Sequence, residues 1–171
     1  MGMDVIGMRP LNETGEHFRN NIWWWGPLWE YCNIVAPQLC GSCHGWTNDG
    51  DGLPEGRALA LSDLLEQSIT DGRCARHQAE LEDKRQHTPK VMCTLCDGSG
   101  IRKDAVGMDN GMVEQELDFE SAAELGRERG WCNGCDGRGS RESSDTWYHF
   151  DVENVRHFVS FLRNCGGFNI W

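Results

Sequence analysis

Two octets carry the clearest chemistry in the chain: "CTLCDGSG" at residues 93–100 and "CNGCDGRG" at residues 132–139. Both read Cys-x-x-Cys-Asp-Gly-x-Gly. Two thiolates two residues apart reach one metal ion when the backbone turns tightly between them. The glycines that follow permit that turn and free backbone N–H groups to face the sulfurs. One such knuckle supplies two ligands, and a tetrahedral ion wants four. Cys93, Cys96, Cys132 and Cys135 are therefore expected to close around one zinc. An all-thiolate site leaves no open position for water or substrate, so its role is structural. Iron suits the same ligands, and spacing does not separate the two. The competing reading is four buried or redox-active thiols.

A second, weaker constellation lies upstream. Cys40-x-x-Cys43 and Cys74-x-x-His77 also make two ligand pairs. Cys74 and His77 fall one turn apart on an expected helix and can face one ion. A second zinc at Cys40, Cys43, Cys74 and His77 competes with small apolar cysteines and a surface histidine. Asp49 and Asp51 in "NDGDG" match the start of a calcium loop, but the later acidic ligand is missing and turn chemistry explains the run. Trp23, Trp24 and Trp25 are consecutive, so no single face can bury all three. At least one should reach the surface and, with Asp49 and Asp51, form a partner-binding patch. Catalytic motifs are missing: there is no serine elbow, no phosphate loop and no zinc-deaminase signature.

These residues need elements to position them. Residues 1–22 read as irregular. Pro27 suits the first turn of a helix with Leu28, Cys32 and Val35 on one face. Residues 55–70 and 73–87 read as helices separated by Gly72. Residues 101–117 read as loop or short helix. Residues 119–129 form a helix with Ser121 and Glu124 as a capping box and Gly130 as the stop. Residues 146–150, "TWYHF", suit a short strand. Asp151 can cap a last helix over 152–164, whose Val155, Phe158, Val159 and Leu162 make a clean apolar stripe.

Composition bounds the function. The chain has 171 residues, 39% hydrophobic and 25% charged, which is a globular composition. Nine cysteines, an odd number, in a chain without a secretory signal point to a reducing compartment and metal binding rather than disulfides. No apolar run approaches the ~20 residues of a membrane span. The net charge is −11, with no basic half, which disfavours nucleic acid because phosphates must be neutralised by Lys and Arg.

The octets resemble the cysteine-rich zinc region of DnaJ-type co-chaperones, with Cys93, Cys96, Gly98, Gly100 and Cys132, Cys135, Gly137, Gly139 on the Cys-x-x-Cys-x-Gly-x-Gly pattern. Two repeats imply one zinc. The His-Pro-Asp tripeptide of the J domain is absent, so co-chaperone activity is not implied. The whole chain, through "MGMDVIG", "FRNNIWWWGPLWEYC", "NDGDGL", "GRERGWCNGC" and "FDVENVRHFVSFLRNCGGFNI", resembles a family of small uncharacterised proteins from bacteriophages, prophages and bacteria. That resemblance implies a phage-type accessory protein and supplies no catalytic residues.

The expected architecture is α+β and mostly helical, stapled by a two-knuckle zinc subdomain. Its parts are an aromatic-rich helical region over 1–90, the knuckle region over 91–140 with a helical insertion at 101–131, and a strand and helix over 141–171. The expected function is a non-catalytic zinc-binding interaction protein in the cytosol, the host's if phage-encoded, with a protein as its partner. The alternatives are a nucleic-acid-binding zinc protein and a small enzyme or ligand binder around Asp49, Asp51 and the tryptophans.

Overall fold

The computed structural model describes residues 2–109 and 115–171. Helices take 49% of the described residues and strands 17%, a mixed α and β fold. The chain divides into two compact units: residues 1–86 with 147–171, and residues 87–146. No helix among the described residues is long and apolar enough to cross a membrane.

The first unit is built on a four-stranded antiparallel sheet. Its strands are β1 (Gly2–Gly7), β2 (His17–Asn21), β3 (Gly52–Pro54) and β8 (Gly167–Ile170), in the order β2-β1-β8-β3. Within residues 1–22, read as irregular, residues 2–21 therefore hold two strands and a short helix, α1 (Glu13–Glu16). Alternation puts Met3 and Val5 of β1 on the buried side, and Val5 stands opposite Ile170 while Leu53 stands opposite Phe168. Against the sheet pack α2 (Ile22–Val35), α4 (Glu55–Thr70) and α8 (Val152–Asn164), with α3 (Pro37–Cys40) following α2. The polar helix α5 (Arg73–His87) buries Cys74 alone. The helices over 55–70, 73–87 and 152–164 sit where sequence places them, and Asp151 caps α8 by accepting from the Glu153 N–H.

Helix α2 begins five residues earlier than Pro27. Asn21 caps it, its side chain accepting from the N–H groups of Trp23 and Trp24 at 3.0 and 3.2 Å. Pro27 therefore lies inside the helix, where it can donate nothing to the carbonyl of Trp23. That freed carbonyl accepts from the His149 N–H at 2.9 Å instead. The bond ties residues 147–149 to α2 in place of the strand expected over 146–150, which is absent. The apolar centre of the unit is aromatic: Trp25 and Trp29 stack at 5.5 Å, and Phe158 meets Trp25 edge-on at 5.7 Å.

The second unit holds both knuckles. Strand β4 (Val91–Met92) enters the first and β7 (Ser140–Arg141) leaves the second, and the two pair antiparallel. Between the knuckles run α6 (Ala105–Asp109), β5 (Gln115–Glu116), α7 (Phe119–Leu125) and β6 (Arg129–Gly130), with β5 and β6 paired. A 3-10 turn over Ser144–Thr146 follows β7. The expected loop or short helix over 101–117 is realised in part by α6; residues 110–114 of that stretch lie outside the described residues. Helix α7 ends four residues before Gly130, at Gly126 in the left-handed conformation (φ 62°). Its cap is Asp118, accepting from the Ser121 N–H, rather than Ser121 itself.

Candidate metal centre

Each knuckle is a tight turn whose geometry follows from its sequence. In the first, the N–H groups of Cys96 and Gly98 both donate to the Cys93 carbonyl; in the second, those of Cys135 and Gly137 donate to Cys132. The chain then passes through three left-handed positions: Asp97, Gly98 and Gly100 (φ 47°, 77° and 69°), matched by Asp136, Gly137 and Gly139 (φ 49°, 76° and 86°). Aspartate tolerates this region better than most residues, and glycine tolerates it best. The third position of each knuckle also needs glycine for closeness. A Cβ on Gly100 would lie 2.1 Å from the Gly137 carbonyl oxygen, and one on Gly139 would lie 2.3 Å from that of Gly98. The knuckles press on each other backbone to backbone, in near two-fold fashion.

That contact brings the sulfurs together. Cys93 Sγ lies 3.8 Å from Cys132 Sγ, and Cys96 Sγ lies 3.7 Å from Cys135 Sγ. All four sulfurs lie within 4.8 Å of one another, and all four residues are buried. A tetrahedron with metal–sulfur bonds of ~2.3 Å has edges of ~3.8 Å. The four cysteines can therefore hold one metal ion.

The electrostatics fit a cation. The Gly100 N–H donates to Cys96 Sγ at 3.3 Å, and the Gly139 N–H to Cys135 Sγ at 3.1 Å. Amides of Leu95 and Gly134 act on Cys93 and Cys132 in the same sense. Such donors favour thiolates over thiols. Against them, burial first and the neighbouring sulfurs after it push the Cys135 thiol up to about 12 and raise Cys132. Four thiolates so close repel one another, and a bound cation removes that penalty.

Arg102 supports the centre from outside. It is buried, clasps Asp104 through Nε and Nη2 at 2.7 and 2.8 Å, and donates through Nη1 to Asn133 of the second knuckle at 2.7 Å. Asp104 and then the sulfurs of Cys132 and Cys93 hold its charge in place. No sequence signal marks Arg102, because its knuckle partner Asn133 is 31 residues away.

The second constellation does not assemble. Among the described residues, no group of three or more from Cys40, Cys43, Cys74 and His77 converges as the four-cysteine set does. The three cysteines are buried in the core of the first unit, where burial pushes Cys40 and Cys74 up to about 11 and Cys43 to about 12. His77 is turned aside, packed between Tyr31 and Phe150 with ring centres 4.8 Å from each. These cysteines fill space as small apolar side chains.

Asp49 and Asp51 staple their own loop. Thr47 Oγ1 donates to Asp49 at 2.8 Å, and the N–H groups of His44 and Gly52 donate to Asp51 at 2.7 and 2.8 Å. Those two N–H groups hold the Asp51 carboxyl below its usual range. The three tryptophans divide as their spacing requires: Trp25 is buried, Trp24 is half-buried and stacks on His149, and Trp23 is exposed.

No protein-family model matches the chain, and no curated protein or solved structure matches it either. The site is thus read from its own geometry.

Proposed function

We propose that the chain is a non-catalytic zinc-binding interaction protein whose partner is another protein. The observation that carries this reading is the closed cage of Cys93, Cys96, Cys132 and Cys135, with every sulfur buried. Zinc is the ion that four thiolates at tetrahedral spacing suit best in a structural role. With all four positions taken by sulfur, the ion has no place for substrate, and its work is to hold the fold of residues 87–146. What such a unit offers is a surface. Val91, Met92, Leu95 and Phe119 are exposed apolar side chains on it. The net charge of −11 favours a protein over nucleic acid as the partner. The resemblance to small phage and prophage proteins suggests an accessory role in a host cytosol.

The test is metal content and capture. The chain purified under reducing conditions should carry one zinc. Cys132→Ser should lose it and should fail to retain whatever protein the wild type captures from host lysate. A metal-free wild type, or full metal retention in Cys132→Ser, overturns the reading.

A further inference from the structure

Four exposed aromatic rings gather around one turn of α2. Trp23, Trp46, Trp147 and Tyr148 are 38%, 54%, 40% and 47% exposed. Trp23 meets Trp147 edge-on at 5.5 Å and Tyr148 at 5.2 Å. Gly26, nearly one turn after Trp23, is buried beneath two of them. A Cβ there would lie 3.5 Å from the Tyr148 ring and 3.7 Å from that of Trp46. Together the rings expose roughly 400 Å², taking ~150–250 Å² for each aromatic side chain. That is the size of the largest patch on many monomers, and such patches are often functional.

The patch is built rather than loose. The carbonyl freed by Pro27 holds His149, and with it Trp147 and Tyr148. Trp25 Nε1 donates to the Gly45 carbonyl at 2.6 Å, which fixes the residue before Trp46. The loop carrying Trp46 is also bound to β8, through Gly50 N–H to Ile170 and Ile170 N–H to Asp51.

The segments that supply the rings are acidic. Residues 20–56 contain no Lys or Arg and carry Glu30, Asp49, Asp51 and Glu55. Residues 147–155 contain none either and carry Asp151 and Glu153. Glu30 is exposed one turn beyond Gly26 on the same helix. Arg85 reaches the region, where it is bound by Glu82 and by His149, whose ring stacks on Trp24. The segments that supply the rings thus bring carboxylates and no cation of their own, with Glu55 paired to Arg9 and Glu153 to Arg156 from outside them.

We propose that this aromatic patch receives an arginine- or lysine-bearing segment of a partner protein. The inference rests on the interaction-protein reading and adds the partner's chemistry. Indole and phenol faces attract cations through their quadrupole, and Arg stacks on them as well. Exposed Glu30 and the net charge of −11 favour the same charge and repel an acidic partner or a phosphate backbone.

The test uses the full chain, labelled with nitrogen-15, with its metal content measured on the same sample. It is titrated with an end-capped (Gly-Arg)4 peptide and, separately, with (Gly-Glu)4, while the indole N–H resonances are followed. The arginine peptide should shift Trp23, Trp46 and Trp147 and leave the buried Trp25 and Trp29 in place, with the effect weakening as salt rises. Trp46→Ala should weaken binding at least fivefold. Trp147→Ala should do the same. No shift with the arginine peptide, equal shifts with the glutamate peptide, or unchanged affinity in Trp46→Ala overturns the proposal. A sample that shows the shifts but holds no metal sustains this proposal and refutes the zinc reading.

Discussion

Replacing Gly139 by alanine tests whether backbone contact between the knuckles sets the metal affinity. Two costs add. Gly139 sits at φ 86°, and a left-handed position costs an L-residue about 1–2 kcal/mol. The new Cβ would also lie 2.3 Å from the Gly98 carbonyl oxygen, a backbone atom that no rotamer change can move. Overpacking of that kind costs about 1–3 kcal/mol. The sum is about 2–5 kcal/mol, set against the folded, metal-bound form. Gly126→Ala is the control. Gly126 is also left-handed, at φ 62°, but an added Cβ there meets nothing within 4 Å. It should incur the conformational cost alone, and at the end of α7 rather than in a knuckle. Competition for zinc against a chromophoric chelator reads the difference. At about 1.4 kcal/mol per tenfold, Gly139→Ala should bind zinc roughly 30-fold more weakly or worse, and Gly126→Ala should stay within a few-fold of wild type. Equal affinities for the two variants would refute the argument that the knuckles are held by this contact.

Two further outcomes follow from the first unit. Trp25→Ala should destabilise by about 3–5 kcal/mol in urea denaturation, because it removes a buried ring stacked on Trp29, while Trp23→Ala should cost under about 1 kcal/mol. Burial holds His77 below its ordinary value of 6.5, so the unfolded chain binds the proton first. Stability should therefore fall as pH drops below about 6.5 toward the folded-state value, and His77→Phe, which keeps an aromatic ring between Tyr31 and Phe150, should flatten that part of the profile.

The metal centre was legible because its determinants are local. Cys-x-x-Cys followed by two spaced glycines specifies the turn, and a repeat of it specifies the partner. Helix α8 was legible for a related reason: its apolar stripe and Asp151 cap are contained in one stretch. The sheet was not, because its pairing is long-range. Val5 finds Ile170 at the other end of the chain, and four-residue "GFNI" carries too little pattern to announce a central strand. The start of α2 was hidden by three consecutive tryptophans that blur any period and by a proline that sits inside the helix. The false second site shows the limit of ligand spacing. Cys40 and Cys43 even share the knuckle turn and a following glycine, Gly45, but with Cys74 their thiols went to the core. The exposed rings of Trp46, Trp147 and Tyr148 left one trace, the lack of any Lys or Arg in the segments around them.

X-ray absorption at the zinc edge, on the full chain purified under reducing conditions, tests the central claim most directly. The account predicts one zinc per chain with a shell of four sulfurs at ~2.3 Å and no nitrogen or oxygen neighbours. A shell that mixes sulfur with nitrogen or oxygen, or a chain that holds no zinc at all, would contradict it.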